Sequence, residues 1–182
     1  MKAASRHQLQ KSSFEIIKDP MYLEFLGLSD KTPYHESDLE TAIINHLQEF
    51  LMELGNGFSF VSRQKLIKIE DKNFYIDLVF YNYILKCFVL IDLKVDELTH
   101  QDLGQIQMYV NYYDRIVKTK GDKSTVGILL CAKKNNELVK MTLPHKTNIM
   151  ASEYKIRIPT KEQFIKEIKK VKTNLTNETL TD

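Results

Sequence analysis

Phe74 to Lys94 reads FYIDLVFYNYILKCFVLIDLK, two apolar stretches that are each interrupted by a single aspartate. Asp77 stands in Tyr75-Ile76-Asp77-Leu78-Val79-Phe80, and Asp92 in Val89-Leu90-Ile91-Asp92-Leu93-Lys94. The centre of the second stretch, Phe88-Val89-Leu90-Ile91, is apolar at consecutive positions, the pattern of a strand covered on both faces. Ahead of it, Phe58 to Ile69 and Phe74 to Tyr81 read as strands joined by the polar turn Glu70-Asp71-Lys72-Asn73, which predicts a hairpin. Cys87 to Lys94 is the third strand.

Further out, the periodicity changes. Ser37-Asp38-Leu39-Glu40 has the form of a capping box, and Leu39, Ile43, Leu47, Phe50, Leu51 and Leu54 follow at helical spacing until Gly55. One amphipathic helix is expected there. A second is expected over about Gln101 to Lys118, with Leu103, Ile106, Val110 and Val117 on its apolar side, and a fourth strand over Thr125 to Ala132. The order helix, three strands, helix, strand gives a sheet covered by helices.

The flanks are less patterned. Residues 1–19 read as a lead-in or linker, residues 20–172 as one domain and residues 173–182 as a mobile tail. Pro20 opens a helical turn over Met21 to Leu26 that Gly27 stops. Glu137 to Leu143 fits neither period. Tyr154 to Ile158 reads as a short edge strand ended by Pro159, and Thr160 caps a basic helix to about Val171 carrying Lys161, Lys166, Lys169, Lys170 and, just beyond, Lys172.

With 43% apolar and 27% charged residues the chain has the composition of a soluble globular protein. No apolar run approaches the roughly 18 residues of a membrane span and the N-terminus is polar, so a cytoplasmic protein is expected. Cys87 and Cys131 lack zinc or redox spacing and read as unbridged buried thiols; the scattered histidines point away from zinc as well. Any metal should be a hard ion held by carboxylates. Net charge is +2, yet residues 1–109 carry 11 Lys/Arg against 16 Asp/Glu while residues 110–182 carry 15 against 8. An acidic half and a basic half suit a protein that holds cations and a polyanion together.

Burying an unpaired carboxylate costs several kcal/mol, so Asp77 and Asp92 each need a cation, a hydrogen-bond partner or a raised pKa. Side chains alternate along a strand, so Asp92 and Lys94 project from one face. If the two strands are neighbours, Asp77, Asp92 and Lys94 converge. Two carboxylates, the Leu93 carbonyl and waters would bind Mg²⁺ or Mn²⁺, and a lysine beside them would orient the water that attacks a phosphate. The plainer reading is buried salt bridges, such as Asp92 with Lys94 or Lys86.

Asp77, then Asp92-Leu93-Lys94 fifteen residues later, after a helix bearing Glu40, resembles the PD-(D/E)xK nuclease signature. Gln105-Ile106-Gln107-Met108-Tyr109 resembles the Q-x-x-x-Y element of RecB-type nuclease domains. From about Asp19 to Leu143 the chain is similar to the C-terminal domain of YhcG-type bacterial proteins, through Leu23-Glu24-Phe25-Leu26, Ser37-Asp38-Leu39-Glu40, Phe50-Leu51-Met52-Glu53-Leu54-Gly55, Arg63-Gln64, Ile76-Asp77-Leu78-Val79-Phe80-Tyr81-Asn82 and Gly104-Gln105. Ile76 stands where the signature has proline.

The resemblance implies an α/β, restriction-endonuclease-like αβββαβ core, a central mixed sheet flanked by helices. It implies a Mg²⁺- or Mn²⁺-dependent deoxyribonuclease with Asp77, Asp92, the Leu93 carbonyl and Glu40 about the metal, and Lys94 and Gln105 as catalytic groups. Arg63, Gln64, Gln105 and Tyr109 are the expected nucleic-acid contacts. The plainer roles are a capping carboxylate for Glu40 and a polar helix surface for Gln105 and Tyr109. Tyr109, Tyr112 and Tyr113 read as core packing, with stacking on an unpaired base as the other reading. DNA is the expected partner; RNA, a second copy of the chain and an upstream winged-helix-like domain in a longer protein are left open. So is the rival function, a non-catalytic module of the same fold that binds nucleic acid or a protein.

Overall fold

Alternation over Phe58–Ile69 (β2) and Lys72–Asn82 (β3) produces the expected antiparallel hairpin, turned at Glu70, whose φ is 53°. Cys87–Glu97 (β4) pairs antiparallel with β3, and Val126–Lys133 (β5) lies parallel to β4 on its other side. The computed structural model describes residues 21–28 and 33–156. The lead-in, Pro20, the basic helix from Thr160 and the tail lie outside the described residues.

The remaining strands correct the sequence reading. Ile149–Lys155 (β6) begins well before Tyr154 and is not an edge: Met21–Tyr22 (β1) pairs with it in parallel, giving the six-stranded order β1-β6-β5-β4-β3-β2. The segment read as a helical turn is thus a two-residue strand followed by a single 3₁₀ turn, Glu24–Leu26, which Gly27 closes in the left-handed region. The expected first helix is two, Glu36–Asn45 (α1) and Leu47–Leu54 (α2), because His46 leaves helical geometry at φ −117° and ψ 39°. The second helix is α-helical over His100–Tyr112 (α3) and continues as a π turn to Val117. The unassigned segment forms Asn136–Thr142 (α4), capped by Asn135.

Helices cover both faces of the mixed sheet. Leu39, Ile43, Phe50 and Leu54 of α1 and α2 pack with Leu78, Phe80, Val89, Ile91, Leu93 and Ile128. On the opposite face Ile106, Tyr109 and Val110 of α3 meet Ile76, Val79, Leu90 and Ile149. A Cβ at Gly127 would lie 2.8 Å from Val110 and 2.9 Å from Ile106, so only glycine lets α3 sit this close to β5. That close seat carries Gln105 and Tyr109 onto the sheet. Cys87 and Cys131 are buried and form no disulfide, and no helix among the described residues is long and apolar enough to cross a membrane.

Candidate active site

Pairing between β3 and β4 runs from Asn82↔Cys87 to Leu78↔Ile91 and stops there. The next pair in that register would be Asp77 with Asp92. Instead of continuing the ladder, Asp77 turns its carboxylate across the gap, and Oδ2 accepts the Leu93 backbone N–H at 2.7 Å. The strands therefore fork at the two aspartates. In an extended strand the N–H and C=O of one residue point to the same edge, so the Leu93 carbonyl opens towards this fork as well.

Asp92 and Lys94 lie on the α3 face, opposite Leu93, as strand alternation requires. Asp92 is 2% exposed. Lys94 Nζ stands 3.0 Å from Asp92 Oδ2, at ion-pair distance but outside hydrogen-bond geometry, so that oxygen is buried with no aligned donor. Burial pushes the Asp92 carboxyl up to about 7; Lys94 pulls it down and Asp77 adds to the rise. Burial is the largest single influence on Lys94 and lowers it, but Asp92, Glu36 and Asp102 together outweigh burial and the ammonium is raised above its usual range. Glu36 Oε1 at 3.8 Å and Asp102 Oδ1 at 4.0 Å complete the surroundings of Lys94. Desolvation raises Glu36 above the usual carboxylate range. The sequence reading missed both acids, since nothing local brings the first turns of α1 and α3 to one lysine.

Glu40 lies on α1, 8% exposed. The capping box expected at Ser37 and Glu40 is displaced: His35 is the N-cap, and Asp38 Oδ2 accepts its backbone N–H at 2.7 Å. Glu40 is thereby released from capping and instead accepts a hydrogen bond from Gln64 Nε2, which also donates to Asp77 Oδ1 at 3.0 Å. Glu40, Gln64 and Asp77 form one connected group beside Asp92 and Lys94.

On α3, Gln105 Nε2 donates to Tyr109 Oη at 2.6 Å, and Tyr109 Oη donates to the Tyr75 carbonyl at 3.1 Å. Tyr109 is fully buried. Its ring has no surface to offer a nucleic acid; it is a strut that ties α3 to β3 two residues before Asp77. Burial raises its phenol to about 12, so it stays a donor throughout the physiological range. Tyr113 is buried too, edge-on to Phe88, in line with core packing. Arg63 is exposed, beside Leu78 in the β2–β3 register.

Among the described residues no three carboxylate, imidazole or thiol side chains converge as a ready-made metal cage. The donors nonetheless suit a hard cation: carboxylates on both arms of the fork, one with a buried oxygen lacking an aligned donor, and a main-chain carbonyl. Such a cation would lie against Asp77, Asp92 and Leu93, with Glu40 behind Gln64.

A six-stranded mixed sheet whose central antiparallel strands fork at two aspartates, with a lysine two positions past the second, is a PD-(D/E)xK arrangement. Residues 14–170 match the family model described as the YhcG PDDEXK nuclease domain. The chain belongs to that family. It is 39% identical over 155 residues to "Putative nuclease YhcG" of Escherichia coli (strain K12), an alignment covering 85% of this chain and 41% of that protein. The chain thus spans about two fifths of the length of this relative. Among solved structures, a repair endonuclease from Pyrococcus abyssi is similar with 19% identity, 69% of this chain, 50% of that chain and a TM-score of 0.45. EndoMS in a complex with double-stranded DNA is similar with 15% identity, 72% of this chain, 51% of that chain and a TM-score of 0.46.

Proposed function

We propose that the chain is a Mg²⁺- or Mn²⁺-dependent nuclease domain that hydrolyses DNA phosphodiester bonds. The observation carrying this reading is the fork: two aspartates from neighbouring strands meet where the ladder ends, and one of them is buried with an oxygen that no aligned donor satisfies. A structural salt bridge accounts for Lys94 and Asp92 but not for the ladder that opens at Asp77 or for the bridging of Asp77 to Glu40 by Gln64.

Asp77, Asp92 and the Leu93 carbonyl would hold the cation, and Glu40 would support them from α1. When bound, the cation supplies positive charge against the phosphate oxygens, where negative charge grows during displacement. Lys94 presents an ammonium held by Asp92, Glu36 and Asp102, able to orient the attacking water and to stabilise the hydroxide character it gains. The water oxygen bonds to phosphorus, one P–O ester bond breaks, and the products are a phosphate monoester and an alcohol. Gln105, half-buried and anchored to Tyr109, has one amide hydrogen left for a phosphate oxygen, and Arg63 stands exposed on β2 for the same purpose.

The test is incubation of the purified chain with linear, circular and branched DNA, and with RNA, in Mg²⁺, Mn²⁺ or EDTA, alongside Asp92→Asn. Cleavage that needs the metal and vanishes in the variant supports the reading. Cleavage persisting at the same rate in Asp92→Asn would place the chemistry elsewhere, and nucleic-acid binding without cleavage under any condition would favour the non-catalytic module.

A further inference from the structure

Gln64 was expected to contact phosphate, but its hydrogen bonds point to another role. The residue stands opposite Asp77, between the register pairs Arg63↔Leu78 and Lys65↔Ile76, with φ at 47°. The left-handed region is uncommon for a residue with a Cβ and persists where the surroundings over-determine it. Here they do: Nε2 donates to Asp77 Oδ1 on β3 and to Glu40 Oε2 on α1. An amide nitrogen has two hydrogens, so both are spent on carboxylates from different elements, and Oε1, an acceptor, is what remains. A phosphate oxygen is also an acceptor, so this arrangement does not suit a phosphate contact.

We propose that Gln64 is a positioning residue: by donating one hydrogen to each acid, it holds Glu40 and Asp77 together in the metal-free protein, so that a divalent cation meets carboxylates already oriented. The proposal rests on the metal-dependent reading of the site. A neutral donor suits the task, because it offsets repulsion between two acids without adding a positive charge that would oppose the cation. Each carboxylate oxygen offers two lone pairs, so accepting from Gln64 leaves directions open to metal. The left-handed turn at Gln64 aims the side chain across the hairpin at this pair of acids.

The test is calorimetric titration of Mn²⁺ into the full chain and into Gln64→Met and Gln64→Gly. Glycine adopts a positive φ without strain and lacks the amide; methionine keeps the length and lacks it too. Both variants should bind Mn²⁺ about 10- to 100-fold more weakly, as expected when a hydrogen-bond partner of a metal ligand is lost. Without metal, the melting-temperature losses of Gln64→Gly and Glu40→Ala should be less than additive in the double variant, because they share one hydrogen bond. Unchanged or tighter Mn²⁺ binding in both variants, weakening in Gln64→Met alone, or additive losses would each overturn the proposal. An unaltered chain that binds no Mn²⁺ would sink the metal reading itself, a result distinct from equal affinities across the three proteins.

Discussion

Asp92→Asn should make the metal-free protein more stable above neutral pH and strip out a defined part of its pH dependence. The Asp92 carboxyl is pushed by burial from its ordinary 3.8 to about 7. Between those values the folded protein holds a proton that the unfolded chain has released, so stability falls as pH rises, by about 1.4 kcal/mol per pH unit. The loss begins near the ordinary carboxylate value, is complete above about 7, and totals about 4 kcal/mol for a shift of roughly three units. Asparagine lacks this dependence while filling nearly the same volume. Part of the gain is returned, because Lys94 loses its nearest anion, but Glu36 and Asp102 remain within 4.0 Å of its ammonium. Urea titrations in EDTA at pH 5, 6, 7 and 8 measure this directly. The wild type should fall progressively behind the variant from pH 5 to 7, after which the gap levels. Parallel profiles over that range would refute the claim that Asp92 is a buried carboxyl held for a cation. Mn²⁺ at pH 7.5 should then raise the melting temperature of the wild type and leave the variant unmoved.

Lys94→Ala should cut DNA cleavage by about 10²-fold or more while Mn²⁺ binding measured by calorimetry persists, since the ammonium is not a ligand. Tyr109→Phe removes the link from α3 to the Tyr75 carbonyl and should cost about 1 kcal/mol in urea titrations, with a fall in cleavage because the β3 arm carrying Asp77 is less well held. Gly127→Val drives a side chain into Val110 and Ile106 and should cost about 1–3 kcal/mol, read as a lower urea midpoint; an unchanged midpoint would mean that α3 does not rely on that close approach.

The strands nearest the site were legible because their patterns are local. Phe58–Ile69 begins and ends where its apolar and β-branched residues predict, and the apolar run at Phe88 to Ile91 does lie in the middle of a sheet covered on both faces. The misreadings share a physical cause. β1 is two residues long and is a strand only because Tyr154 and Lys155 stand beside it, information absent from Met21 and Tyr22 themselves. The break at His46 interrupts a periodicity that runs unbroken on either side, because bending lets both halves of the apolar stripe reach one core. Propensity and spacing describe a segment, whereas these features belong to contacts between segments.

The site divides along the same line. Asp77 and Asp92 stood out because a carboxylate in an apolar strand is a local anomaly, and Lys94 followed from alternation. Gln105 and Tyr109 were correctly placed on one helix face, but spacing does not say whether that face is turned inward, and Tyr109 proved fully buried. Glu36, Asp102 and the bridging of Glu40 to Asp77 by Gln64 needed the tertiary structure. One link nonetheless joins fold and chemistry at the level of sequence. Alternation runs regularly through Leu78, Val79 and Phe80 and breaks at Asp77, since Ile76 faces α3 while Leu78 faces α1 and α2. This irregularity falls where β3 leaves β4 and Asp77 reaches the Leu93 N–H. A one-residue slip of β3 would turn Leu78 and Phe80 away from Leu39, Ile43 and Phe50 and carry Asp77 out of reach of the Leu93 N–H, so the apolar surface that selects the register also places this aspartate at the fork.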